Sequence, residues 1–145
     1  MKIKQAVFIV LSLIVLAGVV SVDAVVREAS TANLPWVKEY VEWNKDSGLH
    51  VSMVNHPKYG KAYMSYYDSN NKDLIMASEV TPGTGNCGPK DSWYCTLVDS
   101  EGDVGHYSSI DVVYYSGMLL NYTKIGISYF DASKGALKYA QRTYP

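Results

Sequence analysis

The feature that most constrains this 145-residue chain is an internal duplication. The segment AYMSYYDSNNKDLIMA (62–77) and the segment IGISYFDASKGALKYA (125–140) share one plan. Each reads as a strand, a Ser-Tyr-aromatic-Asp end, a polar turn, then Leu and a closing Ala. The match continues upstream at a constant spacing: Trp36 with Trp93, Val41 with Val98, Asp46 with Asp103, Gly48 with Gly105, Ser52 with Ser109 and Gly60 with Gly117. An insertion, Met118 to Thr123, shifts the register. Beyond it Lys61 pairs with Lys124, Ser65 with Ser128, Tyr66 with Tyr129, Asp68 with Asp131, Leu74 with Leu137 and Ala77 with Ala140. Self-similarity at this period marks a repeated supersecondary unit that buries its faces against neighbours. It predicts like settings for Trp36 and Trp93.

Each copy reads as four strands. They are predicted near 36–43, 49–55, 61–67 and 73–79 in the first copy, and near 93–99, 106–113, 124–130 and 136–142 in the second. Alternating side chains, β-branched and aromatic enrichment, and bounding Gly, Asn, Asp and Pro carry the reading. Residues 68–73 and 131–135 are tight polar hairpin turns. A short helix after Pro35 is the alternative for 34–43, since Val37, Tyr40 and Val41 would share a face. The expected fold is all-β: two four-stranded antiparallel sheets of the size of a propeller blade, an incomplete propeller. The expected organisation is a signal segment (1–24), an N-terminal linker (25–35), repeat one (36–80), a linker holding the first cysteine (81–92) and repeat two (93–145).

The signal reading rests on order. Lys2 and Lys4 form a basic start, Ala6 to Val22 is apolar but for Ser12 and Ser21, and small or aliphatic residues follow up to Ala24. That is the n-, h- and c-region layout of a secretory signal cleaved after Ala24. An uncleaved anchor is the rival, because the run is borderline for the roughly 20 residues of a spanning helix. Either way the rest of the chain lies outside the cytoplasm, secreted or at the cell surface, and a membrane enters only through an uncleaved N-terminal segment.

Charge excludes some partners. The whole chain carries a formal net charge of −1, and no basic stripe invites a nucleic acid. Thirteen Tyr and three Trp against two Phe mean that most rings carry a polar tip. Such rings suit half-buried sheet faces and wet interfaces alike.

The run NCGPKDSWYCTLVDSEGDVGHYSSIDV, followed by IGISYFDASKGALKYA, resembles repeats of secreted bacterial and archaeal proteins. Those repeats are regarded as β-propeller blades, distantly similar to sialidase-type Asp-box propellers. The resemblance covers about 85–145 well and 36–80 more weakly, and Ser30 and Lys38 stand in copy one where the cysteines would be. It implies a fold and says little about activity. Two blades leave open faces, so several chains assembling, two sheets packing as a sandwich, and a remnant that folds poorly are the three outcomes.

Candidate chemistry is sparse. Cys87 and Cys95 are the only cysteines, and an even pair in an exported chain reads as a disulfide. One Cys pair is no zinc pattern. Asn121-Tyr122-Thr123 is a glycosylation sequon in the insertion, expected on a surface loop. The stretch from Asp68 to Glu79 imitates a calcium loop, but Lys72 and Asp73 stand where an oxygen ligand and Gly are wanted. Neither a metal nor a cofactor is expected. Asp68 and Asp131 recur at equivalent hairpin starts, which argues for Asx-type turns over a glycosidase pair. His50, His56 and His106 are the remaining titratable candidates, and Ser52 and Ser109 could be imagined as nucleophiles, but nothing in the sequence places a base and an orienting acid beside those serines. The expected function is a non-catalytic binding or adhesion module, lectin-like, presenting Trp36, Trp43, Tyr66, Tyr67, Trp93 and Tyr129 to a carbohydrate or an extracellular protein. Alternatives are a self-assembling homo-oligomeric surface protein and, further off, a relative of sialidase-like hydrolases.

Overall fold

The computed structural model describes residues 7–16, 19–28, 36–43 and 46–145, the first two runs as backbone alone. Two compact units divide the chain, residues 1–37 and 38–145. In the first, β1 (Val7–Leu16) pairs antiparallel with β2 (Val19–Glu28). Most of the expected signal segment falls on this hairpin, while Lys2, Lys4 and Ser30 lie outside the described residues. Among the described residues no helix is long and apolar enough to cross a membrane.

The second unit is all-β. Its strands are β3 (Ser47–Asn55), β4 (Ala62–Asp68), β5 (Asp73–Glu79), β6 (Trp93–Asp99), β7 (Val104–Ser116), β8 (Asn121–Asp131) and β9 (Ala136–Tyr144). They form a four-stranded antiparallel sheet in the order β3-β4-β5-β6 and a three-stranded one in the order β7-β8-β9.

Seven of the eight expected strands are present, and two features correct the sequence reading. First, residues 36–43 form no strand. Second, the strand that opens the second copy, β6, pairs with β5 and completes the sheet of the first copy. The sheets are therefore four and three strands, in place of four and four. The reason is that a strand exists only by pairing. β6 follows β5 closely enough to take its free edge; the edge equivalent to β5 in the second sheet is β9, far along the chain from 36–43. Trp36 and Trp93 consequently occupy unlike settings, 92% and 4% exposed.

The duplication is nevertheless written into the backbone. β3 shifts register on β4 between Ser47, Leu49 and Ser52; β7 does so on β8 between Val104, His106 and Ser109, the equivalent positions. The bulges use the same left-handed residues, Gly48 (φ 99°) and Gly105 (φ 106°), then His50 and Tyr107 (both φ 53°). Bulges of this kind bend and twist a strand locally. The hairpin turns match too. Asp68 Oδ1 accepts the Asn70 and Asn71 N–H groups, and Asp131 Oδ1 accepts that of Lys134. The insertion does not form a separate loop: it lengthens the β7–β8 hairpin, so that Asn121 opens β8 and is exposed, with Met118, Leu119 and Leu120 exposed at the tip.

Period-two alternation sorts the core into two clusters. On β5, Leu74 and Met76 face the second sheet and pack with Val104, Ile110, Val112, Ile125, Ile127 and Tyr129. Ile75 and Ala77 point the other way and pack with Tyr66 and Trp93, covered by Val41. The two sheets are pinned at a buried polar seam. Ser65 and Ser108 share a hydroxyl hydrogen bond of 2.9 Å, and the Ser108 hydroxyl donates to the His50 carbonyl over 2.8 Å.

Candidate functional site: the groove between the sheets

The six aromatic residues expected to bind ligand do not form one surface. Tyr66 and Trp93 lie in the cluster on the outer face of the first sheet, and Tyr129 in the cluster between the sheets. Tyr67 is also buried. Only Trp36 and Trp43 of the six are exposed. Each buried ring spends its polar tip on a protein partner. Tyr66 donates to Glu42 Oε2 (2.8 Å), Tyr129 to Asp99 Oδ2 (2.6 Å), Tyr67 to Asp103 Oδ1 (2.8 Å) and the Trp93 indole to Glu39 Oε1 (2.8 Å). Strand propensity put these rings in the sequence reading, and half-buried sheet faces select the same residue types as binding surfaces.

Burial, then the bond to Asp103, pushes the Tyr67 phenol up to about 12; burial and Asp99 raise Tyr129 as well. Hydrogen bonds from His106 (2.7 Å) and Tyr67 hold the Asp103 carboxyl below its usual range. Burial alone would raise Asp99, but hydrogen bonds from Lys138 and Tyr129 outweigh it and lower the carboxyl.

A different set of aromatics does converge on open space. Where the sheets diverge, a groove is lined by Tyr59, Tyr63, Tyr94 and Tyr144, with Thr123 and Arg142. Sequence reasoning missed this set because its members come from five separate segments. Tyr59 and Tyr94 are 61% and 48% exposed. The Arg142 guanidinium lies 4.7 Å from the centre of the Tyr144 ring, within cation–π range. His56, itself buried, also lines the groove. Its Nδ1 accepts the Lys58 and Tyr59 N–H groups, and its Nε2 lies 2.9 Å from Thr123 Oγ1. Burial, then the Lys58 charge, lowers its pKa. This combination of ring faces, hydroxyls and a cation can stack on and hydrogen-bond a polar ligand with an apolar face.

Asp68 and Asp131 are fully buried in their turns. Cys87 and Cys95 are joined in a disulfide. The loop it closes is tied to β6 twice more. The Asn86 side chain accepts the Cys95 N–H (2.6 Å) and donates to its carbonyl (3.0 Å), and Cys87 bridges Trp93.

Fold and groove together define a disulfide-bonded, all-β protein with two antiparallel sheets. Comparison with family models, with curated proteins and with solved structures found no match to the chain.

Proposed function

We propose that this chain is an exported, non-catalytic binding module, lectin-like, whose two sheets are propeller-type blades and whose ligand seat is the groove between them. The observation that carries the reading is the convergence of Tyr59, Tyr63, Tyr94 and Tyr144 with Thr123 and Arg142 on one open groove. Aromatic faces beside hydroxyl and guanidinium donors fit a carbohydrate, whose rings are apolar on one face and polar at the rim. The disulfide supports an oxidising compartment. The two acids that a glycosidase reading would need are engaged by their own hairpin turns, which supports the non-catalytic reading.

A glycan array with the purified protein tests it, alongside an extracellular-protein pull-down. Saturable binding that Tyr59→Ala and Tyr94→Ala each weaken at least tenfold is the expected result. Tyr59 is 61% and Tyr94 48% exposed, and circular dichroism of each variant is expected to match the wild type. Silence on both platforms removes the reading.

A second reading is self-assembly at the cell exterior. It is favoured by one observation: Leu137 and Tyr139 stand 81% and 62% exposed on β9, where their counterparts Leu74 and Met76 are buried.

A further inference from the structure

Residues 38–43 lie against the first sheet as β6 lies against the second. In the second sheet, Tyr129 donates to Asp99 of β6, and Val98 of β6 packs on the cluster between the sheets. In the first, Tyr66 donates to Glu42, and Val41 packs on the outer cluster. Glu42 and Val41 are the repeat counterparts of Asp99 and Val98. The segment thus occupies the place of the outermost strand of a sheet whose other three strands are absent beside it.

β6 earns strand geometry by pairing with β5, and the counterpart of β5 is β9, the unpaired edge of the three-stranded sheet. Carrying the β5–β6 register across the repeat pairs Leu137 with Glu42, Lys138 with Tyr40, Tyr139 with Glu39, Ala140 with Lys38 and Arg142 with Trp36. In this register Glu39 and Glu42 share the face of Leu137 and Tyr139, and Trp36 shares the face of Ala140 and Arg142.

The slot for Trp36 already exists. Trp93 packs in the outer cluster with Ala77, with Val41, Ala62 and Met64 around that cluster, and donates to Glu39. The repeat counterparts of those five residues are Ala140, Val98, Ile125, Ile127 and Thr96. All five line one cleft between the sheets. No tryptophan of the second unit fills it, and Trp36, the counterpart of Trp93, is 92% exposed. Glu39, Val41 and Glu42 hold the segment on the outer face of the first sheet, and the cleft opens on the other face.

We propose that the chain assembles head to tail: residues 36–42 of one copy add as the fourth strand to β9 of a second copy, and Trp36 enters the cleft between that copy's sheets. The occupant is a second copy because the missing strand and the missing indole are both in this chain's own sequence. The face carrying Leu137 and Tyr139 then covers the outer cluster of the first sheet, as Leu74 and Met76 cover Tyr129 within one chain. Such a contact joins two different surfaces, so it propagates and closes into a ring where the rotation allows. The proposal rests on the self-assembly reading and specifies its interface.

Light scattering on the full chain over a concentration series tests it. The wild type is expected as a multimer. Trp36→Ala and Leu137→Glu, each altering an exposed side chain, are expected to require at least tenfold more protein to assemble, with unchanged circular dichroism. A double variant, Lys38→Cys with Ala140→Cys, is expected to give covalent multimers under oxidation, and Lys38→Cys with Tyr144→Cys is not. A wild type of single-chain mass at micromolar concentration overturns both the proposal and the self-assembly reading. A multimer indifferent to Trp36→Ala and Leu137→Glu overturns this interface and leaves assembly by another surface standing.

Discussion

The Trp93 indole N–H donates to the Glu39 carboxylate over 2.8 Å and binds the strand that closes the first sheet to a segment 54 residues earlier. Trp93 is almost wholly buried but Glu39 is exposed, so the bond is part-buried. Glu39→Ala is expected to cost about 1–3 kcal/mol, the range for a hydrogen bond to a charged group. Glu39→Gln, which keeps an acceptor oxygen, should cost less. Urea unfolding followed by tryptophan emission measures both; equal stability of Glu39→Ala and wild type would refute the role given to this bond.

Leu74 and Leu137 are one residue duplicated, yet the first is fully buried and the second 81% exposed. Leu74→Ala is expected to destabilise the fold by about 2–5 kcal/mol through lost transfer energy and a cavity. Leu137→Ala, measured on dilute protein below its assembly concentration, should fall within roughly 0.5 kcal/mol of wild type. Thermal unfolding of the two variants side by side gives the comparison.

The disulfide and its glycine form one device. Gly88 holds φ 75°, and a Cβ placed there would meet Trp93 Cδ1 at 2.6 Å. Cys87→Ser with Cys95→Ser is expected to lower stability by about 2–3 kcal/mol in the chain-entropy account of a loop this short. Gly88→Ala should destabilise while the disulfide stays intact, because it strains the backbone and displaces the indole. Unfolding curves with and without reductant separate the two: reductant should weaken wild type and Gly88→Ala, and leave the double serine variant unchanged.

Acid should act in two steps. His56 Nδ1 already accepts two backbone N–H groups, so a proton there has no acceptor, and the folded pKa lies below the ordinary 6.5. The unfolded chain then binds the proton first. The His56 contribution is complete above about pH 6.5 and is lost as pH falls through the lower folded value. Asp99, also lowered, contributes above its unfolded pKa of about 3.9 and loses that contribution as pH falls further. The melting temperature is expected to drop between about pH 7 and pH 5, with a shallower drop in His56→Gln. Parallel slopes for the two proteins would remove His56 as the source.

The strands themselves were legible. Alternation and the Ser-Tyr-aromatic-Asp ends placed β4, β5 and β9 within two residues and the end of β8 within one, because period-two burial is a local property of the chain; β8 begins three residues earlier than expected, at Asn121. The disulfide was legible as well, since two cysteines leave one pairing. The groove was not: Tyr59, Tyr94 and Tyr144 look like any other strand or turn tyrosine until two sheets set them across one opening.

Sequence by itself determined the all-β class, and it paired Gly48 with Gly105 by residue type and spacing; that both sit in bulges came from the structure. Tertiary structure alone decided which copy β6 joins, that 36–43 forms no strand, and that Trp93 is buried while Trp36 is exposed. Strand pairing and burial depend on which edge and which face are within reach, and two segments with the same pattern meet different neighbours when only one of them has a free edge close behind it.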